Sequence, residues 1–127
     1  MIVYNPALVK PRKVDKLASQ MDVGPTLLGL LGFSYRSWFY GQDLLREPGG
    51  RALIGTYQKV ALLEPGKLTI LEPNRRAVVQ DLGPFGEVKG THAYDGKEGF
   101  PEEVRRAAAI YQTASDAFAR GLTKVTP

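Results

Sequence analysis

The stretch KGTHAYDGKEG, Lys89 to Gly99, carries the only histidine in the chain. An imidazole three residues ahead of Asp95 has the residue types of an acid–base pair. Joined instead to Glu98, His92 would offer two corners of a metal site. Both chemistries need side chains held rigid, and this glycine-rich, polar stretch holds nothing rigid on its own. The plainer reading is a solvated loop histidine.

Other chemistry is sparse. Serine or threonine becomes a nucleophile only beside a base or a metal. No glycine elbow surrounds a serine, and GPFG (Gly83 to Gly86) lacks the spacing and the lysine of a phosphate-cradling loop. The chain has no cysteine, which removes thiolate catalysis, disulfides and Cys-based zinc sites. One imidazole cannot supply a catalytic zinc centre of the usual kind. Asp15, Asp22 and Asp43 do not read as a cluster, and Asp22 reads as a helix cap. We expect no catalytic, cofactor-binding or metal-binding residue in this chain.

The totals fit one globular domain: 127 residues, 43% hydrophobic and 24% charged. No apolar run is long enough to cross a bilayer, and Met1-Ile2-Val3-Tyr4 does not begin a signal peptide. The net charge of +4 comes from scattered basic residues: Lys10, Arg12, Lys13 and Lys16, then Arg36, Arg46 and Arg51, then Arg75 and Arg76. Scattered basicity reads as a solvated surface, and no nucleic-acid partner is expected.

The elements follow from pattern. Ile2 to Tyr4, closed by Asn5-Pro6, reads as a strand that wants both faces buried, as in a parallel sheet. After a basic loop, SQMDVGPTLLGLLGF (Ser19 to Phe33) reads as a buried helix. Asp22 caps it, Pro25 lies in its first turn and Gly32 stops it. Gly24 and Gly29 each cost about 1 kcal/mol against alanine, so a close backbone neighbour such as a sheet face is expected. FSYRSWFYG (Phe33 to Gly41) has the interleaved aromatics and arginine of a base- or sugar-stacking surface. The simpler expectation is a segment covering a sheet edge.

Pro48-Gly49-Gly50 marks a boundary. Beyond it, RALIGTY, KVALLE, KLTILE and RAVVQD read as a four-stranded antiparallel meander. Its turns are Glu64-Pro65-Gly66-Lys67, with the type II signature, and Glu72-Pro73-Asn74-Arg75, with asparagine in the glycine's place. Leu82 to Phe100 reads as a long loop. A helix opens at Pro101-Glu102-Glu103 and buries a stripe of Val104, Ala107, Ala108, Tyr111, Ala114 and Phe118, ending at Gly121. The fold class is α+β: a strand and buried helix in residues 1–47, then the meander and its helix in residues 48–127.

The run from Val3 to Leu45 resembles the sulfatase-like branch of the alkaline phosphatase superfamily that contains lipoteichoic acid synthase and the phosphoglycerol transferases. The matching letters are Ser19, Gln20, Asp22, Pro25, Thr26, Leu27, Leu28, Leu30, Leu31 and Gly32, followed by Gly41, Asp43, Leu44 and Leu45. The resemblance covers about a third of the chain. It implies that residues 1–47 end an α/β sulfatase-like core and residues 48–127 form its small C-terminal subdomain. It also implies a parent enzyme acting on sulfate or phosphate esters with a divalent metal (manganese, magnesium or calcium). That parent would work at the cell envelope, periplasmic or on the outer face of the inner membrane, anchored through its N-terminal part.

The family's nucleophile, acidic metal ligands and Asp-His pair precede its counterpart of the Val3 strand, so none carries over, and Thr26 is not the nucleophile. The expected partner is the N-terminal part of the same enzyme, with self-association through residues 1–45 as a consequence of its absence. From another class, a basic β-meander module binding an acidic polymer also fits the composition.

Overall fold

The structure, a computed structural model, describes residues 2–38, 40–47 and 50–124. Apart from Gly50, the boundary expected at Pro48-Gly49-Gly50 lies outside the described residues. The sheet has five antiparallel strands in sequence order: β1 Ala52–Gly55, β2 Val60–Glu64, β3 Lys67–Glu72, β4 Arg76–Leu82 and β5 Val88–Tyr94. The meander is therefore one strand longer than expected, because β5 forms inside the stretch read as a loop. An edge strand pairs on one side only and needs little apolar character. β5 accordingly carries Lys89, Gly90 and His92 and still satisfies its backbone against β4. The β4–β5 register slips at Asp81/Leu82.

Turn chemistry sets the remaining registers. Glu64 pairs with Lys67, leaving Pro65-Gly66 as a two-residue loop in which Gly66 takes φ 78°. Glu72 pairs with Arg76, so that loop holds three residues rather than the two expected. Both Asn74 (φ 61°) and Arg75 (φ 58°) are left-handed there, where asparagine alone was expected to be.

Register places Leu53, Leu62, Thr69, Val79 and His92 in one cross-strand row, next to a row of Gly55, Val60, Leu71, Ala77 and Tyr94. The helix α2, Glu102–Ala119, packs over this face against β3 and β4. Its Val104 joins Ala77 and Val79 in the core, ringed by Leu71, Tyr94 and Phe100. Burial of these groups is the main favourable term holding helix to sheet. The expected stripe is met at Val104 and Ala107, both buried. It fails at Phe118, which is 77% exposed. Tyr111 already reaches the β1–β2 edge, donating its hydroxyl to the Ile54 or Ala61 carbonyl. About 10 Å further along the helix axis the buried residue is Ala117, and Phe118 beside it faces solvent. Gly121 (φ 68°) ends α2 as expected, with the Leu122 N–H returning to the Ala117 carbonyl at 2.9 Å.

The first part of the chain departs further from expectation. Residues 2–4 form no strand, and Ile2 is 96% and Tyr4 86% exposed. Two-sided apolar segments become strands only with ladder partners, and the described residues present none to them. The Asn5-Pro6 turn does form, with the Leu8 and Val9 amides donating to Asn5. The helix is a 3-10 turn, Gln20–Asp22, running into α1, Val23–Leu30. It is not buried all round: Pro25 and Thr26 are, whereas Leu27 and Leu31 are exposed. The segment from Phe33 to Trp38, expected to cover a sheet edge, is likewise exposed. Gly32 (φ 72°) stops α1 as expected, with the Phe33 N–H bonded to the Leu28 carbonyl.

Thr69 is 1% exposed beneath α2, and its hydroxyl has no partner among the described residues. An unpaired buried hydroxyl costs about 1–3 kcal/mol. Thr69→Val keeps the shape and removes that cost, so the variant should unfold at a higher urea midpoint with an unchanged slope.

Candidate functional site

Two arrangements bring polar side chains together. The first is a clasp between α1 and the segment returning from it. Asp22 is 1% exposed and its carboxylate accepts two backbone donors, Ser19 N–H at 2.6 Å and Gln42 N–H at 2.8 Å. A buried carboxylate is tolerable only with such donors. The expectation that it caps the first turn of α1 is therefore corrected: it closes the 3-10 turn on one side and holds residue 42 on the other. One turn on, the buried Thr26 hydroxyl donates to the Asp22 carbonyl at 2.6 Å and accepts the Leu44 N–H at 3.1 Å.

Two glycines let the segments close. A Cβ on Gly41 would collide with the Met21 carbonyl, and one on Gly29 with the Asp43 carboxylate. The backbone neighbour expected for both helix glycines is found at neither: Gly29 meets the Asp43 side-chain carboxylate, and Gly24 faces open space. Asp43 accepts the Leu45 N–H at 2.9 Å and starts the turn that follows. Lys16 crosses that turn, donating to the Leu44 and Glu47 carbonyls, both at 2.8 Å. The clasp is then tied to the meander. Ser19 Oγ accepts the Leu53 N–H of the edge strand at 2.5 Å, and Arg51 donates to the Tyr40 carbonyl at 2.7 Å.

The second arrangement is a charged row at one end of the helix face. Glu64, Lys67 and Asp81 sit side by side on β2, β3 and β4. Above them Glu103 of α2 pairs with Lys67, and Arg106 of α2 lies 3.3 Å from Glu64. The hydrogen bond from Lys67 holds the Glu103 carboxyl below its usual range, and the same bond raises the Lys67 ammonium. At the far end of the sheet the Lys59 hydrogen bond likewise lowers Glu72.

His92 stands at the edge of this row. Its Nε2 is 3.1 Å from Asp81 Oδ2, with both side chains about half exposed. Asp95 is instead engaged by Lys97, whose backbone N–H lies at 3.1 Å and ammonium at 3.2 Å; Glu98 is exposed in the following loop. The solvated loop histidine expected from the sequence is corrected: His92 lies on β5 and meets Asp81, not Asp95 or Glu98. The register that joins them was hidden with β5. An exposed His–Asp pair with no hydroxyl or third ligand beside it has no catalytic geometry. Among the described residues no three His, Asp or Glu side chains converge to hold a metal. The divalent metal implied by the family resemblance therefore finds no fitting ligand set here. Asp15 is engaged by Lys13 at 2.8 Å on the surface, far in role from Asp22 and Asp43.

No protein-family model and no curated protein matches this chain. Among solved structures it is similar to a protein in the alkaline phosphatase superfamily from Vibrio parahaemolyticus, with a TM-score of 0.77 and 24% sequence identity. The similarity covers 93% of this chain and 28% of that one. It defines the fold: an α+β unit that recurs as part of an alkaline phosphatase superfamily protein. This chain spans little more than a quarter of that protein's length.

Gly41→Ala drives a Cβ into backbone rather than into a pliable side chain. It should lift residues 41–45 off α1. Amide exchange at Gln42 and Leu44 should then rise to the rate of open loops, while the β3 and β4 amides keep their protection.

The lowered carboxyls fix a second expectation. Groups whose folded pKa lies below the unfolded value contribute fully above the ordinary carboxylate range and lose that contribution as pH falls through the folded value. Unfolding followed from roughly pH 5 to pH 3 should therefore show a shallower loss of stability in the Glu72→Gln/Glu103→Gln double variant than in the parent chain.

Proposed function

We propose that this chain is the C-terminal segment of a metal-dependent enzyme of the alkaline phosphatase superfamily, of the sulfatase or phosphoglycerol transferase type. The enzyme acts on sulfate or phosphate esters at the cell envelope, on the periplasmic side, and is held to the membrane by its N-terminal part. Residues 1–47 complete its α/β core and residues 48–127 are the subdomain appended to it. The observation that carries the reading is the fold similarity, which takes in nearly all of this chain and 28% of a superfamily protein.

Two features support it independently. Every polar group of the Ser19–Leu45 motif that the structure engages is used to bind the chain to itself, so the motif is a scaffold rather than a reaction centre. The leucines and aromatics that the motif does not use, Leu27, Leu31, Phe33 and Trp38, lie exposed. Side chains of that size in one short stretch mark a surface built to be covered. The segment's contribution to the reaction is thus structural: it braces the core that carries the nucleophile and the divalent metal, and lends neither.

The test separates segment from enzyme. This chain alone should not hydrolyse a nitrophenyl sulfate or phosphate ester with manganese, magnesium or calcium. The polypeptide encoded in frame with it should do so, with His92→Ala leaving its rate unchanged. Turnover by this chain alone, abolished by His92→Ala, would overturn the reading, as would a stop codon and ribosome site immediately upstream of Met1.

A further inference from the structure

Every residue from Leu31 to Trp38 is exposed, and four of them are large and apolar: Leu31, Phe33, Tyr35 and Trp38. Both ends of this loop are fixed to folded structure. It leaves α1 through the Phe33 N–H, bonded to the Leu28 carbonyl. The chain returns where Arg51 holds the Tyr40 carbonyl and Asp22 holds the Gln42 amide.

Charge is as one-sided as exposure. From Val23 to Gln42 the sequence has one charged residue, Arg36, and no carboxylate. Tryptophan and tyrosine concentrate where the headgroups of a bilayer meet its acyl chains, because the ring is buried there while its N–H or O–H stays hydrated. Arginine suits the same depth, its stem lying along apolar surface while its guanidinium reaches lipid phosphate. A sugar surface needs several placed polar groups, and between Leu31 and Trp38 only Ser34, Arg36 and Ser37 offer any. Leu31 adds nothing to such a surface and adds apolar area against a bilayer.

Resting on the envelope location proposed above, we infer that the loop from Leu31 to Trp38 inserts its large side chains into the interfacial layer of an anionic lipid bilayer, with Arg36 on the lipid phosphates. The enzyme then has a second hold on the membrane besides its N-terminal part. The cover that Leu31, Phe33 and Trp38 lack within the chain is lipid.

Trp38 is the sole tryptophan of the chain, so its fluorescence reports on the loop directly. With vesicles of phosphatidylglycerol and phosphatidylcholine, its emission should move to shorter wavelength, and bromine on the acyl chains should quench it. Phe33→Ser keeps the reporter and should weaken binding about tenfold. Arg36→Gln should weaken binding to these vesicles more than binding to phosphatidylcholine alone. Phe85→Ser removes a still more exposed ring, between β4 and β5, and should leave binding unchanged.

Emission that ignores the vesicles would overturn the inference, as would binding that Phe33→Ser and Phe85→Ser weaken alike. A shift that appears without lipid as the protein is concentrated would make a second copy the occupant, with the same consequence. Trypsin carries the test to the longer polypeptide encoded in frame with this chain, where vesicles should suppress cleavage after Arg36. Resistance at Arg36 without vesicles would show the loop covered by the enzyme itself and end the proposal. Vesicle binding by a longer polypeptide that hydrolyses no ester would sink the proposed reaction and leave the loop's role standing.

Discussion

A single buried carboxylate decides how the first fifty residues are arranged. Asp22 is shut away from water, and burial without donors would cost several kcal/mol. Two backbone amides twenty-three positions apart meet that need: Ser19 from the start of the 3-10 turn and Gln42 from the returning segment. Neither amide has a place in a helix or a sheet, so each is itself a group that requires a partner. The carboxylate thus settles three demands at once, and removing it would leave two orphaned donors. Thr26 repeats the device one turn later, with a hydroxyl as both donor and acceptor. The same serine whose amide meets Asp22 offers its hydroxyl to Leu53 on the outer edge of β1. Helix, return segment and sheet are thereby held by a few polar contacts rather than by a shared apolar core.

That economy explains why a motif can be specific without being catalytic. Serine, aspartate and threonine at positions 19, 22 and 26 are residue types that chemistry also uses. Here each has its hydrogen-bonding capacity turned toward main chain. Gly29 and Gly41 belong to the same device, because the clasp closes only where backbone and carboxylate can approach without a Cβ between them. Ser19, Asp22, Thr26 and Gly41 are among the letters on which the expected family resemblance was drawn, and their job in this chain is to hold a fold together.

Much of this was legible in the residues, and the failures have physical causes. The Pro-Gly and Pro-Asn turns announced three strands and their order, since few sequences reverse a chain in two or three residues. Gly32 and Gly121 marked both helix ends, for the left-handed conformation there all but requires glycine. β5 was missed because an edge strand draws its stability from backbone pairing, which leaves only a faint mark in side-chain type. With it went the Asp81–His92 pair, which depends on register and not on spacing along the chain. The clasp was half visible. Asp22 was recognised as bonded to backbone amides, but its more distant amide, on Gln42, comes from a return path that no local rule specifies. Phe118 was assigned to the core from periodicity alone, whereas near that end of α2 it is the adjacent Ala117 that is buried.

The two parts of the chain differ in what they leave unmet. In the meander, five strands pair in unbroken order and α2 closes one face, so most of the backbone and the apolar surface find partners within residues 50–124. Before the clasp, Ile2 and Tyr4 lie open to solvent, as do Leu27 of α1 and Leu31 just after it. Exposed apolar groups are ordinary when scattered, but here several fall within one short stretch, Leu27 to Trp38. Hydrophobic area and hydrogen-bonding groups are each open to several kinds of partner when taken singly. Where both lie open in one part of a chain, that part depends least on its own fold for its shape. The clasp is what holds that part in order: Asp22 and Thr26, both buried, tie α1 to residues 42–44 through hydrogen bonds that need no apolar cover.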